Sequence, residues 1–182
     1  IKKNKLKGEV IKPSDIFYSK NNSFPQSLNF THVCNKKINK EMKIGSTISL
    51  KNINQKVGIV IVVRMSSNRF PGKALKNICG RESIACLIDR MKRVKNANEI
   101  ILATSTDKSD DVLEKIAKRE GVKFFRGSLE NVASRYYESA KKFKLDQIVR
   151  ITGDAIVCDE IMLDKAIKVQ IERGSDVVFM KN

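Results

Sequence analysis

The chain has 182 residues, of which 41% are hydrophobic, enough to bury the core of one moderate domain or of one domain with a small module. No apolar run reaches the roughly 18 residues of a transmembrane helix, and no apolar stretch follows the Lys-rich start as in a signal peptide. The chain has four scattered cysteines without a CxxC pair and a single histidine, a pattern that argues against a zinc site. Such cysteines are typical of reduced thiols. We therefore expect a cytoplasmic protein that has no membrane partner.

The formal net charge of +16 raises the hypothesis of nucleic-acid binding. The lysines are spread over the whole chain, however, and we find no arginine-rich block, no ladder of stacking aromatic residues and no helix-turn-helix pattern. We therefore do not expect a nucleic-acid partner. A basic surface still favours anionic substrates such as nucleotides.

Residues 1–56 form a first module of short apolar stretches separated by polar clusters. Residues 9–11 and 47–50 are β-rich and predict short strands, Pro13 predicts the start of one helical turn, and residues 19–27 predict a loop. No residues in this module have catalytic spacing. We expect a small, mostly β domain.

Residues 57–182 form a second module that alternates strand and helix patterns. It opens with the β-branched run GIVIVV at 58–63, which suits a central parallel strand. One helix pattern begins at Ser83, with the apolar residues Ile84, Leu87, Ile88 and Met91 at helical spacing. Another covers 109–120, where Asp110 and Asp111 suit the helix dipole and Gly121 suits the C-cap. Further strands are predicted at 100–103, 122–125, 147–151 and 176–180, and further helices at 129–142 and 160–173. The helix at 129–142 is predicted to turn inward the residues Val132, Ala133, Tyr136, Tyr137 and Ala140. This order predicts an α/β fold with a mostly parallel sheet and a ligand site beyond the carboxyl ends of its strands.

The loop after the first strand combines positive charge with small polar residues. Arg64, Arg69 and Lys73 supply three cations, and Pro71 stiffens the turn before Lys73. Neither a GxGxxG nor a GxxxxGK[ST] motif is present. Backbone N–H groups and hydroxyls here can bind phosphate oxygens, but a solvated basic loop fits the residues equally well.

Three ordered stretches, VVRMSSNRFPGKAL, FFRGSLENVASRYYESAKK and VRITGDAIVCDE, resemble motifs of the cytidylyltransferases that make CMP-activated sugar acids, most of all the spore-coat polysaccharide branch. The resemblance covers Val57 to Asn182. It implies a Rossmann-like nucleotide-diphospho-sugar transferase fold. It also implies CMP transfer from CTP to a sugar acid, with release of pyrophosphate, for surface polysaccharide or glycan synthesis.

The resemblance also implies roles for individual residues. Arg64 and Lys73 would hold the triphosphate of CTP, and Asp154 would hold Mg²⁺ beside the α-phosphate with support from Asp159. These three, Arg64, Lys73 and Asp154, are the implied catalytic residues. The implied nucleotide-binding residues are Arg64, Ser66, Ser67, Arg69, Lys73, Thr104, Ser105, Arg126, Ser128 and Arg135. Of these, Arg126, Ser128 and Arg135 would lie around the base and ribose.

The residues by themselves leave some of these roles open. Asp154 also fits a turn or helix-capping aspartate, and Arg126 and Arg135 also fit surface ion pairs. Two departures fall on binding loops: Ser66 stands where the family usually has Gly, and Ile156 stands where it has Pro. Three alternatives therefore remain: a nucleotidyltransferase that uses another nucleotide, a non-catalytic nucleotide- or sugar-binding module, and a nucleic-acid-binding protein.

The first module has a resemblance of its own. LKGEVIKPSDIF and NKKINKEMKIGSTISLKNI resemble the antifreeze-like SAF domain at the end of sialic-acid synthases. Those domains contribute an arginine to a sugar site, but the corresponding loop here, residues 21–26, has none. The order of modules implies a fusion of a sugar-acid synthase with a CMP-sugar synthase. Ile1 and Asn182 both look internal, so we expect a longer protein, a cytidylyltransferase domain incomplete at its C-terminus, and a homodimer at full length.

Overall fold

The computed structural model describes residues 1–17, 33–67 and 70–179. The chain divides into two compact units, one of Ile1–Gln55 and Lys168–Asn182 and the other of Lys56–Ile167. Arg69 and the predicted loop at 19–27 lie outside the described residues. No helix in the described ranges is both long and apolar enough to cross a membrane.

The first unit is built around a small apolar core with little regular structure. Its buried members are Ile1, Ile11, Val33, Ile38, Met42 and Ile53. The strand predicted at 9–11 is reduced to one antiparallel bridge, between Val10 and Lys37. The strand predicted at 47–50 is wrong, because a 3₁₀ helix, Leu50–Asn52, begins there and the Asn52 side chain accepts a hydrogen bond from Ser49 N at 2.9 Å. That residues 1–56 form a SAF domain stays a prediction.

The second unit contains a four-stranded parallel sheet. Its strands are β1 (Val57–Val62), β4 (Glu99–Ser105), β5 (Lys123–Gly127) and β6 (Gln147–Thr152), in the order β5-β4-β1-β6. All six residues of β1 are buried, as expected of a strand flanked on both edges and covered on both faces. A short antiparallel hairpin, β2 (Asn77–Ile78) with β3 (Arg81–Glu82), was not predicted.

The helices α1 (Ser83–Met91), α2 (Asp111–Arg119) and α3 (Val132–Phe143) belong to the second unit, and α4 (Glu160–Arg173) begins in it and ends among the residues of the first unit. The predicted apolar face of α1 is buried, and Gly121 has the left-handed φ of 67° expected after α2. The prediction for α3 was partly wrong. Val132 and Tyr137 are exposed because the face that meets the sheet is centred on Tyr136 and Ser139.

The strand predicted at 176–180 is also wrong for the residues that the structure describes. Residues 176–179 have no strand conformation and pair with no described strand. Val177 and Phe179 are 60% and 87% exposed. The described part of the apolar run, which belongs to the first unit, is therefore not a buried strand.

Candidate functional site

A cleft of about 660 Å³ lies at the carboxyl ends of β1 and β6. Parallel sheets place their ligand sites at this edge, so the cleft lies where the fold predicts one. Its lining residues are Val62, Val63, Arg64, Ser67, Lys73, Val132, Arg135, Thr152, Gly153 and Asp154.

Direct pairing of β1 with β6 brings distant parts of the chain together. Val62 is in register with Thr152, and Gly153 N donates a hydrogen bond to Val62 O at 2.9 Å. A Cβ on Gly153 would lie 2.7 Å from Val63 Cβ, closer than side-chain atoms approach one another. Glycine at this position therefore lets Asp154 follow β6 close to the loop after β1.

Lys73 and Asp154 form an ion pair inside the cleft. The Lys73 ammonium lies 2.5 Å from Asp154 Oδ2 although 81 residues separate the two in sequence. Hydrogen bonds from Lys73 and then from Thr152 lower the pKa of Asp154 to about 2, so the carboxylate is ionised at neutral pH. Ser83 Oγ donates to Lys73 O at 2.7 Å and anchors this loop to α1.

Two arginines line the same cleft. Arg64 is partly buried, and its Nη1 donates a long hydrogen bond of 3.5 Å to Leu129 O. Arg135 is 1% exposed, and its Nε and Nη1 are buried without a hydrogen-bond partner. Burial, and then the charge of Arg64, lower the pKa of Arg135. The cleft thus holds three cationic side chains, whereas Asp154 is the only acidic residue among its described lining.

The buried residue Asp110 holds the loops around the cleft in place, a role that the sequence did not predict. Its buried carboxylate accepts hydrogen bonds from Met65 N (2.7 Å), Thr104 Oγ1 (2.7 Å), Ser105 N (3.1 Å) and Ser105 Oγ (2.5 Å). It therefore ties the loop after β1 to the end of β4. The signal in the sequence was a Thr-Ser pair at a strand end followed closely by an aspartate, which suited the helix dipole equally well.

Thr104 and Ser105 do not reach the cleft. Both are 0% exposed, and both hydroxyls donate to Asp110. Neither side chain has surface left for a ligand in this structure, and the implied contact of these two residues with nucleotide stays a prediction. Their role here is to hold Asp110.

Arg126 and Ser128 also lie away from the lining of the cleft. Arg126 Nη2 pairs with Asp111 at 2.7 Å and Glu114 at 3.1 Å, as in the alternative ion-pair interpretation. Ser128 Oγ accepts from Asn131 N at 3.0 Å, just before α3.

The remaining predicted residues divide between the cleft and its surroundings. Ser67 lines the cleft, whereas Ser66 is exposed and is not part of the lining. Asp159 Oδ1 accepts from Ile161 N at 2.7 Å and from Met162 N at 3.1 Å, so it caps α4. That Asp159 also supports the Asp154 loop stays a prediction.

The cleft fits a divalent cation only in part. No group of three or more metal-ligating side chains occurs in the described ranges, and Asp154 supplies one half-exposed carboxylate. Mg²⁺ commonly binds through one or two carboxylates together with phosphate oxygens and water. The donor set therefore suits a metal ion that binds together with a phosphorylated ligand.

Comparison with known proteins identifies the family of the second unit. The sequence model of the cytidylyltransferase family matches residues 58–181. The spore coat polysaccharide biosynthesis protein SpsF of Bacillus subtilis (strain 168) is 32% identical over 127 residues, which cover 68% of this chain and 53% of that protein. A 3-deoxy-manno-octulosonate cytidylyltransferase of Geobacter metallireducens is 30% identical over 112 residues, 62% of this chain and 43% of that protein.

Comparison with solved structures gives the same family as the comparison of sequences. A cytidylyltransferase from Leptospira borgpetersenii superimposes with a TM-score of 0.62 and 36% identity, over 64% of this chain and 49% of that one. The predicted α/β fold with a mostly parallel sheet is confirmed. The chain spans about half the length of the curated relatives it matches. On the match over residues 58–181, the chain belongs to the cytidylyltransferase family.

Proposed function

We propose that this chain binds CTP in the cleft and takes part in the transfer of CMP to a sugar acid. The observation that carries the proposal is the meeting of Arg64, Lys73 and Arg135 with Asp154 at the carboxyl edge of the sheet. Family membership supports the chemistry, and the charge of the cleft supports the ligand.

The balance of charges in the cleft suits a triphosphate. Three cations face one carboxylate, so an anion with several charged oxygens would neutralise the excess. A charge-assisted hydrogen bond contributes about 1.5–3 kcal/mol, and several together suffice for specific binding. Arg64 and Lys73 are the proposed triphosphate ligands because they belong to the loop directly after β1.

In the proposed reaction a hydroxyl of the sugar acid attacks the α-phosphorus of CTP. The bond from that phosphorus to the bridging oxygen of the β-phosphate breaks, pyrophosphate leaves with the electron pair, and the proton of the attacking hydroxyl passes to water. Negative charge increases on the leaving group, where Arg64 and Lys73 would stabilise it. Such catalysis depends on positioning and charge neutralisation and needs no covalent nucleophile.

Asp154 is the proposed metal ligand. Lys73 and Thr152 keep its carboxylate ionised, with a pKa of about 2, and only the ionised form binds a hard cation well. A bound Mg²⁺ would neutralise phosphate charge. The Lys73 ammonium lies 2.5 Å from the same carboxylate. The ammonium and the metal ion would therefore both bind the triphosphate close to Asp154.

The names of the relatives suggest the acceptor. One relative acts on 3-deoxy-manno-octulosonate and another takes part in spore coat polysaccharide synthesis, so we propose a sugar acid destined for surface polysaccharide or glycan. The SAF identity of the first unit, a homodimer at full length and a cytoplasmic location stay predictions.

A second candidate is a nucleotide- or sugar-binding module without turnover. The observation that favours it is the single carboxylate among the described lining of the cleft, together with Ser66 and Ile156 in place of the family's Gly and Pro. Monitoring the release of pyrophosphate from CTP in the presence of a sugar acid by ³¹P NMR distinguishes the two candidate functions. Binding without release favours the module.

Calorimetric titration of CTP, ATP and a short DNA duplex, each with Mg²⁺, tests the ligand. We expect CTP to be preferred, and Arg64→Met to weaken its binding by about tenfold or more. Arg93→Met is the matched control, because Arg93 is an exposed arginine outside the cleft. Tight, salt-sensitive binding of DNA with no binding of CTP contradicts the proposal.

A further inference from the structure

We propose that Arg135, together with Arg64, forms a phosphate-binding site at the cleft, so that Arg135 contacts a phosphate group and not the base or ribose of the nucleotide. This inference rests on the proposed function in that it takes the ligand of the cleft to be phosphorylated. It reassigns Arg135 from the role that family resemblance implied.

The first argument is the unmet hydrogen-bonding capacity of Arg135. The residue is 1% exposed, and Nε and Nη1 are buried without a partner in the structure. A guanidinium carries five N–H donors and no acceptor, and it stays charged in proteins. An uncompensated buried charge is strongly destabilising unless an anion joins it.

The second argument is the lack of a neutralising partner. The charge of Arg64 acts on Arg135 with the same sign and, after burial itself, contributes most to lowering its pKa. Asp110 acts in the opposite sense, but its carboxylate already accepts four hydrogen bonds from Met65, Thr104 and Ser105. No salt bridge to Arg135 occurs among the described residues.

The third argument is that the fold makes room for this arginine. A Cβ on Gly127, at the end of β5, would lie 3.0 Å from Arg135 Cγ and 2.8 Å from Phe125 Cε1. Glycine therefore lets the side-chain stem pass the strand end. The stem leads to a cleft that Arg64 also lines.

The charge of the site decides between parts of the nucleotide. Cytosine and ribose are neutral, so neither would compensate a buried guanidinium beside a second one. Phosphate oxygens carry the charge and suit the planar fork of arginine, which binds them through two parallel hydrogen bonds.

The test uses the full chain with inorganic pyrophosphate, CTP and cytidine as calorimetric probes. Arg135→Met keeps the length of the stem and removes the charge, and Arg93→Met is the matched control. We expect Arg135→Met to weaken pyrophosphate and CTP binding about tenfold or more and to leave cytidine binding unchanged. Equal pyrophosphate affinity in Arg135→Met and wild type overturns the inference, as does a loss confined to cytidine.

Thermal denaturation separates this role from a structural one. Without ligand, Arg135→Met should melt no lower than wild type, because the substitution removes a buried unpaired charge. Pyrophosphate should raise the Tm of wild type and not that of the variant. If Arg135→Met does not fold, Arg135→Lys is measured instead. It keeps the charge without the fork, and we expect weaker pyrophosphate binding; unchanged binding contradicts the inference.

The probes distinguish failure of this inference from failure of the proposed function. If wild type binds CTP and Arg135→Met binds it equally tightly, the inference fails and the proposed function stands. Pyrophosphate binding that depends on Arg135, without any preference for CTP over ATP, supports the inference and contradicts a CTP-specific function. Wild type that binds neither pyrophosphate nor CTP contradicts both.

Discussion

Two groups of charged residues in the second unit differ in how their charges are balanced. In the first, which we call the matched cluster, Arg81 and Arg119 are surrounded by Glu82, Asp89 and Glu120. Arg119 donates to both carboxylate oxygens of Glu82, at 3.0 and 2.8 Å, and this pairing lowers the pKa of Glu82 to about 2. The second group is the cleft, where Asp154 is the one acidic residue that lines the cleft with Arg64, Lys73 and Arg135 in the part of the chain that the structure describes.

The difference teaches how to recognise a binding site in a strongly basic protein. A cavity of about 370 Å³ lies beside the matched cluster and is lined by Arg81, Glu82 and Arg119, so neither a cavity nor an arginine is sufficient. Where carboxylates balance the arginines, the charges hold the β2–β3 hairpin against α1 and α2. Where cations exceed carboxylates in a concave site, an anionic ligand is expected to complete the balance.

The largest effect on this comparison is expected from Asp110→Asn. The substitution leaves the shape of the residue but replaces one accepting oxygen by an N–H donor. That donor would face Met65 N if it stands in place of Oδ1, or Ser105 N if it stands in place of Oδ2. We expect a loss of about 2–4 kcal/mol in unfolding free energy, together with weaker CTP binding, measured by urea denaturation and calorimetry.

Asp107→Asn is the control for that variant, because Asp107 is an exposed carboxylate that accepts from Ser109 N nearby. Asparagine is as good a cap as aspartate, so its effect should be a few tenths of a kcal/mol. A stability of Asp110→Asn equal to that of Asp107→Asn contradicts the organising role of Asp110.

The next effect is expected from Gly153→Ala. The added Cβ meets Val63 Cβ and Cγ2 at 2.7 Å, so the backbone before Asp154 has to move, at a cost of about 1–3 kcal/mol. We expect a lower Tm and a weaker Lys73–Asp154 pair. Gly58→Ala is the control at the other end of β1, where the Cβ meets the flexible end of Leu145. Weaker CTP binding in Gly58→Ala than in Gly153→Ala opposes this account.

A smaller effect concerns pH. The folded pKa of Asp154, about 2, lies below the ordinary value of 3.8, so the ion pair contributes stability above pH 3.8 that is lost as pH falls towards 2. Lys73→Met should raise the pKa of Asp154 towards 3.8, as measured by ¹³C NMR titration of its carboxyl group. The pKa of Glu82 in the matched cluster should not change. An unchanged Asp154 titration shows that the ion pair does not form in solution.

The smallest effect is expected from Arg119→Met in the matched cluster. The pair is largely exposed, so its loss should cost about 1 kcal/mol or less in unfolding free energy and should raise the pKa of Glu82 towards 4.5. Affinity for CTP should stay at the wild-type value in calorimetry. A weaker affinity would remove the distinction between the two groups.

Much of the second unit could be predicted because its signals are local. The β-branched run after Val57 and the apolar spacing of α1 identify a buried strand and an amphipathic helix without knowledge of their neighbours. The buried face of α3 and the absence of a strand at 176–179 could not be predicted, because the packing partners of a segment decide which of its residues are buried.

The site was predictable only where the family motifs carried the argument. Spacing alone does not indicate that Lys73 meets Asp154, since this depends on β6 lying beside β1 in the sheet. Without the family motifs, Asp110 resembled an ordinary residue of a helix start, and Arg135 resembled a surface ion-pair partner. Their importance comes from burial and from what surrounds each charge, which only the folded structure supplies.

The most direct test of the central claim is a ¹⁵N NMR titration of the chain with CTP and Mg²⁺. We predict that amide signals of Arg64, Gly72 and Gly153 shift with a common affinity, whereas those of Arg81 and Arg119 in the matched cluster stay in place. Shifts centred on the matched cluster, with the signals around the cleft unchanged, would contradict the assignment of the cleft as the nucleotide site.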